Sequence, residues 1–580
     1  MGFSLWLGSV LLSSCNFYQL DTRKPTLYTY SKLAEQPRDS NHTVVVKLLE
    51  QLKKPLLSGK LEFATGWSMI YGDSSESING DPWIETQHSL EVKLPHHVLR
   101  PNSSILYFRD INFSEDGILS IDADDGAQLF INGQRIKRLK GAHFPVDSGL
   151  VKVAIRVLNN AMEGGLRKVT FSTSLQFREY QRAYQLYGQL KLMGEKILLL
   201  RDPDITMINS VVRALSTTDT LLVSQVMERL DDYPVLFPYL IRKNEDSLQI
   251  QVLCDTYEPV NLTLWKENEI KETYRMNGPL AIFKISLRDS VSFQYQLSSL
   301  RNSSEIYTVQ SRAEENRCTF NIWADSQGGW NTFLQHMQNP FLQADAFSIG
   351  VGDLVANGSD SLQWTELIKV LSVSASLRPY YLIPGNHDYD GYYDDLIPDL
   401  YRKFVPQAPA GYYSWRFNNA AFIALDPNET FPIGVKRGTR QYAWFLQQIN
   451  SQPWRTADWR FVLVHQPPYS QGWPGYHGDK AIRDLLNPVI ESAKIDFVIC
   501  GHTHDYERLT KQYGTQRMTF LVTGGGGGTV EPPGELSTVP VMDTVIKQHH
   551  LVQLTIRNDR VLLYAFDSRH GLIDLLYIVK

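Results

Sequence analysis

Short apolar runs recur through the C-terminal half of the chain, and each of them ends at a polar loop. The runs cover residues 319–323, 346–349, 380–383, 460–464 and 496–500. They lack the strict alternation of a half-exposed strand, which predicts strands that are covered on both faces. Loops after such strands are where a sheet presents its functional side chains, so the residues that follow each run are the candidates for chemistry.

The first part of the N-terminal half has a different pattern. Residues 58–177 contain short alternating strands, and Asn132-Gly133 favours a two-residue hairpin turn between two of them. This pattern predicts a β-sandwich. Segments 124–133 and 153–165 resemble the jelly-roll sandwiches attached to glycoside hydrolases. Such modules either bind carbohydrate or only space a catalytic domain from its anchor, and both interpretations stay open here.

The next segments change pattern twice. Residues 178–240 carry helical spacing, with Tyr180, Tyr184 and Tyr187 on one stripe. We therefore expect a helical connector that packs this aromatic stripe on a neighbour. Strand alternation then returns, which predicts a second, smaller sandwich over residues 245–312.

Length and charge restrict the function. At 580 residues the chain is too long for a single core and should form several domains. The net charge of −5, with both signs mixed along the chain, argues against nucleic acid as a partner. Cys254, Cys318 and Cys500 lie in strand-like runs, so we expect buried core thiols and no disulfide framework.

The first residues predict export. Residues 3–12 are apolar and too short to span a bilayer, and they lead into Leu-Ser-Ser-Cys at residues 12–15. This resembles the lipobox of a bacterial lipoprotein, in which Cys15 would carry the lipid. An ordinary signal peptide in which Cys15 is incidental is the alternative. In both cases we expect a periplasmic or cell-surface protein, with a membrane anchor in the first.

Five polar motifs follow the apolar runs in a fixed order. Carboxylate, amide and imidazole groups from several loops can hold two cations and leave positions for water and substrate. Two cations bridged by one carboxylate can clamp both the attacking and the leaving oxygen of a displacement at phosphorus. Asp353 is our candidate for the bridge. The motifs are Asp325-Ser326-Gln327, Gly352-Asp353, Gly385-Asn386-His387-Asp388, Val464-His465 and Gly501-His502-Thr503-His504.

With these motifs, residues 315–580 resemble the calcineurin-like metallophosphoesterases, and within them the purple acid phosphatases. The stretches 465–469 and 501–508 are similar to that family's H-x-P-x-Y and G-H-x-H-x-Y-E-R motifs, and Thr523 precedes a similar glycine-rich turn at 524–528. The resemblance implies a four-layer α/β/β/α domain. It also implies that the small sandwich before it is fibronectin type III-like.

The resemblance further implies two divalent or trivalent metal ions, namely iron, manganese or zinc. His387 would contact the phosphate and stabilise charge or protonate the leaving group, while a metal-bound hydroxide would be the nucleophile. The ligands would be Asp325, Asp353 and His504 for one metal, and Asp353, Asn386, His465 and His502 for the second.

Three positions depart from the pattern. Ala356 stands where the purple enzymes have a tyrosine ligand, so we expect no tyrosinate-to-iron colour. Gln327 stands where the wider superfamily commonly has histidine, and it is either a weak metal ligand or a loop amide. Only His477 lies where the purple enzymes carry a histidine pair, and it is a candidate for acid catalysis or substrate contact.

Tyr469 and Arg508 are candidates for substrate binding. The alternatives are core packing for Tyr469 and a carboxylate pair for Arg508.

The predicted function is hydrolysis of phosphate monoesters on a small phosphorylated substrate. A phosphodiesterase or nucleotidase is the alternative within the same metal core, because pocket shape decides between them. An alternative of another class is a surface glycan-binding protein with a vestigial phosphatase domain. The many polar groups expected to converge on one pocket argue against it, because burying them is costly.

Overall fold

The computed structural model describes most of the chain beyond the N-terminus. The predicted export signal with Cys15 lies outside the described residues. Among the helices that are described, none is long and apolar enough to cross a membrane. The described residues are 40–57, 59, 61–72, 89–100, 102–123, 126–139, 141–159, 164–200, 203–231, 233–244, 247–266, 269–286, 292–299, 302–310, 317–389, 398–406, 410–532 and 541–580.

After helix α1 (Ser40–Gln51), ten strands form two facing sheets with one apolar core between them. Asn132 and Gly133, both at positive φ, join β6 to β7, so the predicted hairpin is present. The sheet orders are β1-β10-β5-β8 and β3-β2-β4-β9-β6-β7. The jelly-roll-like designation stays a prediction. The strands are β1 (Leu61–Glu62), β2 (Trp67–Tyr71), β3 (Leu90–Val92), β4 (Ser103–Phe113), β5 (Gly117–Ala123), β6 (Ala127–Ile131), β7 (Gln134–Ile136), β8 (His143–Val146), β9 (Gly149–Asn159) and β10 (Leu166–Thr173).

Three helices follow: α2 (Ser174–Leu199), α3 (Ile205–Thr217) and α4 (Thr220–Leu230). Helix α2 begins before residue 178, because Thr173 and Gln176 form a capping box directly after β10. Of the predicted aromatic stripe, Tyr180 contacts the sandwich, with its ring 5.8 Å from that of His143. The helical part ends earlier than predicted, since residues 236–244 form a strand.

Seven strands then form two packed sheets, with the order β14-β13-β16-β17 in one and β15-β12-β11 in the other. The fibronectin type III-like designation stays a prediction. The strands are β11 (Leu236–Asn244), β12 (Ser247–Cys254), β13 (Pro259–Lys266), β14 (Glu269–Asn277), β15 (Leu280–Ser286), β16 (Ser292–Ser298) and β17 (Tyr307–Gln310).

The C-terminal part contains two further groups of strands and seven α-helices in its described residues. Its strands are β18 (Arg317–Trp323), β19 (Phe347–Val351), β20 (Pro379–Ile383), β21 (Tyr413–Phe417), β22 (Ala420–Leu425), β23 (Trp459–Val464), β24 (Phe497–Cys500), β25 (Tyr506–Tyr513), β26 (Gln516–Thr523), β27 (Thr544–Ile546), β28 (His550–Arg557), β29 (Arg560–Asp567) and β30 (Leu572–Val579). Its helices are α5 (Trp330–Met337), α6 (Ser361–Ala375), α7 (Asp399–Phe404), α8 (Arg440–Ile449), α9 (Gln452–Arg455), α10 (Lys480–Leu486) and α11 (Ile490–Ala493).

These elements form the predicted four layers. The order β20-β19-β18-β28-β29-β30 packs face to face with a seven-stranded sheet of order β21-β22-β23-β24-β26-β25-β27. Helices α5 and α6 cover the outer face of the first sheet, and α8 and α10 cover that of the second. In β23, Phe461 and Leu463 face the inner core while Val462 and Val464 face the helices, which explains the continuous apolar run.

The small sandwich shares a sheet with the catalytic domain, a connection that the sequence did not indicate. Strand β11 pairs in parallel with β20, with Leu240 opposite Pro379 and Ile241 opposite Tyr380. One nine-stranded sheet therefore runs from β15 to β30. Both pairing strands are apolar on both faces. The sequence of neither strand therefore indicates that a further strand pairs with its edge.

Candidate metal centre

The predicted ligands come together at one edge of the two sheets. Strands β18, β19 and β20 are parallel to one another, as are β23 and β24, so their carboxyl ends point the same way. A parallel sheet displays its ligand-binding loops at that end. Each of the five loops contributes at least one side chain, in the order Asp325, Asp353, Asn386, His465 and His502.

Asp353, His465 and His502 form the tightest group. One ligand atom from each of these buried residues lies within 4.8 Å of the others. Oδ2 of Asp353 is 3.2 Å from Nε2 of His465, and the two histidine rings have centroids 5.2 Å apart. A carboxylate with two imidazoles is a donor set that suits zinc, iron and manganese.

Asp325 and His504 extend this group on one side. Oδ1 of Asp325 lies 3.5 Å from Nε2 of His504 and 4.0 Å from Nε2 of His465. Its other oxygen accepts a hydrogen bond from the backbone N–H of His502 at 2.9 Å. Asp325 therefore lies beside His504, its predicted partner in the first ligand set, and near His465 of the second set.

Two histidines are held with one nitrogen directed at the centre. Nδ1 of His465 lies 2.8 Å from the carbonyl oxygen of Val351, and Nδ1 of His504 lies 2.7 Å from that of Thr529. A carbonyl can only accept, so Nδ1 carries a proton in both rings and Nε2 is the nitrogen directed at the centre. This is the arrangement of a metal-binding histidine with its supporting hydrogen bond.

The centre also contains buried polar atoms that lack a hydrogen-bond partner in the described part of the chain. Within the described residues, Oδ1 of Asp325 and Nε2 of His465 are buried and accept or donate no hydrogen bond. Leaving such atoms unsatisfied costs about 1–3 kcal/mol each. Cations coordinated by these atoms would remove this cost, so the residues present fit a metal centre.

The acid–base properties agree with this fit. Burial raises the pKa of Asp325 well above its ordinary value, and the nearby Asp353 raises it further. Burial would also raise the pKa of Asp353, but His465 and His387 outweigh it and hold this pKa below its ordinary value. Burial lowers the pKa of His502 well below its ordinary value, so that ring is neutral and able to coordinate.

The Gly-Asn-His-Asp loop contributes Asn386 and His387. Asn386 is buried, and its Oδ1 lies 3.5 Å from Nε2 of Gln466. The His387 backbone N–H donates to Oδ1 of Asp353 at 2.9 Å, and its ring Nδ1 lies 3.1 Å from the carbonyl oxygen of Ala356. The loop thus brings a candidate ligand and a candidate proton donor against the proposed bridge.

Asp388 in the same loop has a role that sequence reasoning missed. Its carboxylate accepts from the backbone N–H groups of Leu354 and Val355 at 2.9 and 3.1 Å, and from that of Gly385 at 2.8 Å. It therefore ties the loop after β19 to the loop after β20. The sequence does give a sign of this role, because Asp388 is the fourth residue of the Gly-Asn-His-Asp motif. The sequence analysis assigned no function to that position.

Gln327 contacts the proposed bridge directly. Its side-chain Nε2 donates a hydrogen bond of 2.6 Å to Oδ2 of Asp353. In this orientation the amide holds a carboxylate in place, as the loop-amide interpretation expects. Its role as a metal ligand stays a prediction.

Tyr469 and Arg508 make the contacts that their alternatives, core packing and a carboxylate pair, expect, and their role in substrate binding stays a prediction. The Tyr469 hydroxyl lies 3.2 Å from both the Asn487 Oδ1 and the Tyr513 hydroxyl, and its ring packs on Phe520. Nε of Arg508 donates to Oδ2 of Asp574 at 2.7 Å. Motif similarity specified the residue types. It did not specify their contacts, which are made with Asn487, Tyr513 and Phe520 for Tyr469 and with Asp574 for Arg508.

The loop after β23 presents aromatic residues to the centre. The rings of Trp473 and Tyr476 lie 5.1 and 6.3 Å from the ring of His502. His477, the predicted acid, is exposed on this loop, and its backbone carbonyl accepts from Arg483 at 2.6 Å. The two aromatics were missed because they match no motif.

Backbone strain marks the ligand loops. Asp325, Asp353 and His502 have φ of 59°, 50° and 77°, a region that side chains other than glycine seldom adopt. A Cβ at Gly385 would lie 2.2 Å from Oδ1 of Asp353, and one at Gly526 would lie 2.3 Å from the Ala324 carbonyl oxygen. The glycine-rich turn therefore permits close backbone approach below the centre, as predicted.

Comparisons with known proteins agree with this geometry. Residues 319–506 match the family model described as calcineurin-like phosphoesterase. Purple acid phosphatase 1 of Ipomoea batatas is 27% identical over 192 residues, which are 31% of this chain and 40% of that protein. The Fe(3+)-Zn(2+) purple acid phosphatase 12 of Arabidopsis thaliana is 24% identical over 196 residues, or 32% of this chain and 39% of that one.

A solved structure extends the likeness beyond the matched domain. The purple acid phosphatase PPD1 from yellow lupin (Lupinus luteus) seeds superposes with a TM-score of 0.50 at 14% identity, covering 82% of this chain and 92% of that one. At this identity the likeness concerns the fold alone. The chain spans about two fifths of the length of the curated relatives it matches.

The chain therefore carries a calcineurin-like phosphoesterase domain, which is the class that its fold and its ligand loops define. Among its relatives are purple acid phosphatases of plants, in agreement with the resemblance seen in the sequence motifs.

Proposed function

We propose that this protein hydrolyses phosphate monoesters at a dinuclear metal centre. The observation that carries the proposal is the grouping of Asp353, His465 and His502 within 4.8 Å, with Asp325 and His504 beside them. The family of the matched domain supports the reaction class. The monoester preference rests on the similarity to purple acid phosphatases, whose names describe phosphatases.

The metal ions would be held by Asp325, Asp353, Asn386, His465, His502 and His504. When bound, two such ions would polarise the phosphoryl oxygens and lower the pKa of a water molecule, so that hydroxide is available near neutral pH. The protein's own part is to fix the donor atoms before the substrate arrives. The Val351 and Thr529 carbonyls do so by fixing the His465 and His504 tautomers.

His387 is our proposed proton donor to the leaving group. Its Nδ1 donates to the Ala356 carbonyl at 3.1 Å, so Nε2 is the nitrogen that exchanges a proton with a bound ester. In hydrolysis a water oxygen forms the new bond to phosphorus, the ester P–O bond breaks, and the departing oxygen takes this proton. The position of His387 beside Asn386 on one cavity wall suits that task.

Elemental analysis and two chromogenic substrates test the proposal. We expect bound metal, turnover of an aryl phosphate monoester, and much slower turnover of a bis-aryl diester. His502→Ala should abolish turnover and leave the unfolding of the N-terminal sandwich unchanged. Faster turnover of the diester would replace the monoesterase by a phosphodiesterase. Absence of both metal and turnover would favour the glycan-binding alternative.

A further inference from the structure

A cavity lies between the N-terminal sandwich and the metal centre. Its volume is about 470 Å³, within the range of about 300–1,000 Å³ that is usual for small-molecule sites. One wall is catalytic and includes Asn386 and His387. The opposite wall includes residues of strands β5, β8 and β10 of the sandwich. The N-terminal sandwich therefore lines the same cavity as the candidate catalytic residues.

A bulge in β10 gives this wall its charge. Leu166 pairs with Ala123 and Lys168 pairs with Asp122, so Arg167 is the extra residue of the bulge. Successive residues of a regular strand point to opposite faces, but a bulge re-aims a side chain. Arg167 and Lys168 consequently both line the cavity and are both exposed to it.

Among the described residues that line this wall, cations outnumber carboxylates. Arg167 and Lys168 supply two cations, and Asp122 supplies one carboxylate. Lys168 also contacts Glu62 at 3.1 Å, in a pair whose side chains are each about half exposed. Burial lowers the pKa of His143, on the same wall, to about 4, so that ring is neutral near pH 7 and adds hydrogen bonding but no charge.

The sandwich is held against the catalytic domain at a second place. Nδ2 of Asn102 donates to Oδ2 of Asp479 at 2.9 Å, and its Oδ1 accepts from the Ile433 backbone N–H at 3.2 Å. Asp479 caps helix α10, so one sandwich residue joins two catalytic-domain loops. These contacts keep the cationic wall at a fixed distance from the centre.

Helix α2 provides a third attachment. It leaves β10 through the Thr173 cap, and near its other end Glu195 pairs with the buried Lys369 of α6. Lys369 also contacts Glu366 at 2.9 Å. The strand that carries Arg167 is thus connected to the catalytic layers through a rigid helix with a buried ion pair.

We infer that the sandwich wall is the leaving-group subsite, and that the substrate is a small phosphate ester whose leaving group carries a second anionic group, bound by Arg167 and Lys168. This inference rests on the proposed function. A guanidinium recognises phosphate or carboxylate with paired hydrogen bonds, and an ammonium adds a point charge. The scissile phosphate would lie at Asn386 and His387, across the cavity.

Matched substrate pairs test the inference. Alkanediol bisphosphates of increasing chain length are compared with the monophosphates of the same diols, and the ratio of their kcat/KM values is measured. The wild type should prefer the bisphosphate at the chain length that spans the cavity. Arg167→Met should lower this ratio about 10- to 100-fold, the usual effect of losing a hydrogen bond to a charged group. Lys168→Met should lower it as well, because it removes the second cation of this wall.

Arg135→Met and Lys152→Met are the matched controls, because they remove the same charges from the other sheet of the sandwich, and they should leave the ratio unchanged. A ratio that Arg167→Met does not alter, or a wild type without preference, overturns the subsite. Calorimetric binding of an alkane bisphosphonate distinguishes a failure of the subsite from a failure of the proposed function. Binding that depends on Arg167 in a protein without turnover would refute only the hydrolysis, whereas binding that does not depend on it refutes the subsite.

Discussion

Gln327 donates a 2.6 Å hydrogen bond from its side-chain Nε2 to Oδ2 of Asp353, the proposed bridging carboxylate. This contact assigns a positioning role to a residue that departs from the usual pattern of the superfamily. A hydrogen bond of this kind fixes the orientation of a ligand before a metal binds.

Gln327→Met should therefore weaken metal binding without removing a binding position. Loss of a supporting hydrogen bond typically lowers metal affinity about 10- to 100-fold. Competition with a chelator measures the affinity, and elemental analysis at saturation measures the stoichiometry. The exposed Gln452→Met is the control. A saturated Gln327→Met variant with one metal fewer than wild type would show that Gln327 is itself a ligand.

Tyr469→Phe should affect stability and not catalysis. It removes a hydroxyl that contacts Asn487 and Tyr513, which costs about 1 kcal/mol of unfolding free energy. Denaturant unfolding measures this loss, and kcat/KM for an aryl phosphate should change less than about threefold. Tyr257→Phe, at a position that is 81% exposed, should change neither quantity. A large fall in kcat/KM would instead support the role in substrate binding that the sequence suggested.

Asp345 should make stability decline with rising pH. Asn321 and Gln553 each donate to its carboxylate at 2.7 Å. Burial raises its pKa to about 7, although Arg378 opposes the shift. An unfolded aspartate has a pKa near about 3.9, so the folded state binds the proton more tightly. The unfolding free energy therefore falls as the pH rises from about 4 to about 7, by on the order of 3 kcal/mol, and stays low above that.

Asp345→Asn should make this decline smaller by the share of Asp345, because its side chain no longer titrates, whereas Asp426, whose pKa burial also raises to about 7, keeps its own share. Urea unfolding at about pH 5 and about pH 8 gives the difference for each variant. The exposed Asp458→Asn should keep the decline of the wild type. An equal decline in Asp345→Asn would mean that another group is responsible.

The catalytic layers could be predicted because their signals are local. Apolar runs such as β23 are buried on both faces, and each ligand follows its strand within a few residues. Cys254, Cys318 and Cys500 are buried free thiols, as their strand-like surroundings indicated. A short stretch of sequence contains everything that these predictions require.

What could not be predicted depends on contacts between distant segments. The pairing of β11 with β20 joins residues about 140 positions apart, and nothing at either strand specifies the partner. Arg167 enters the cavity through a bulge that is visible only in the register of β10 with β5. Arg508 matches a motif, but its direction is set by Asp574 on another strand.

The metal content of wild type and Asp353→Asn tests the account most directly. We expect two ions per chain in the loaded wild type, and fewer than one in Asp353→Asn together with a loss of aryl phosphate turnover of more than about 100-fold. The exposed Asp484→Asn should match the wild type in both measurements. A wild type that binds no metal, or an Asp353→Asn variant that retains two ions and full turnover, would contradict a dinuclear centre bridged by Asp353.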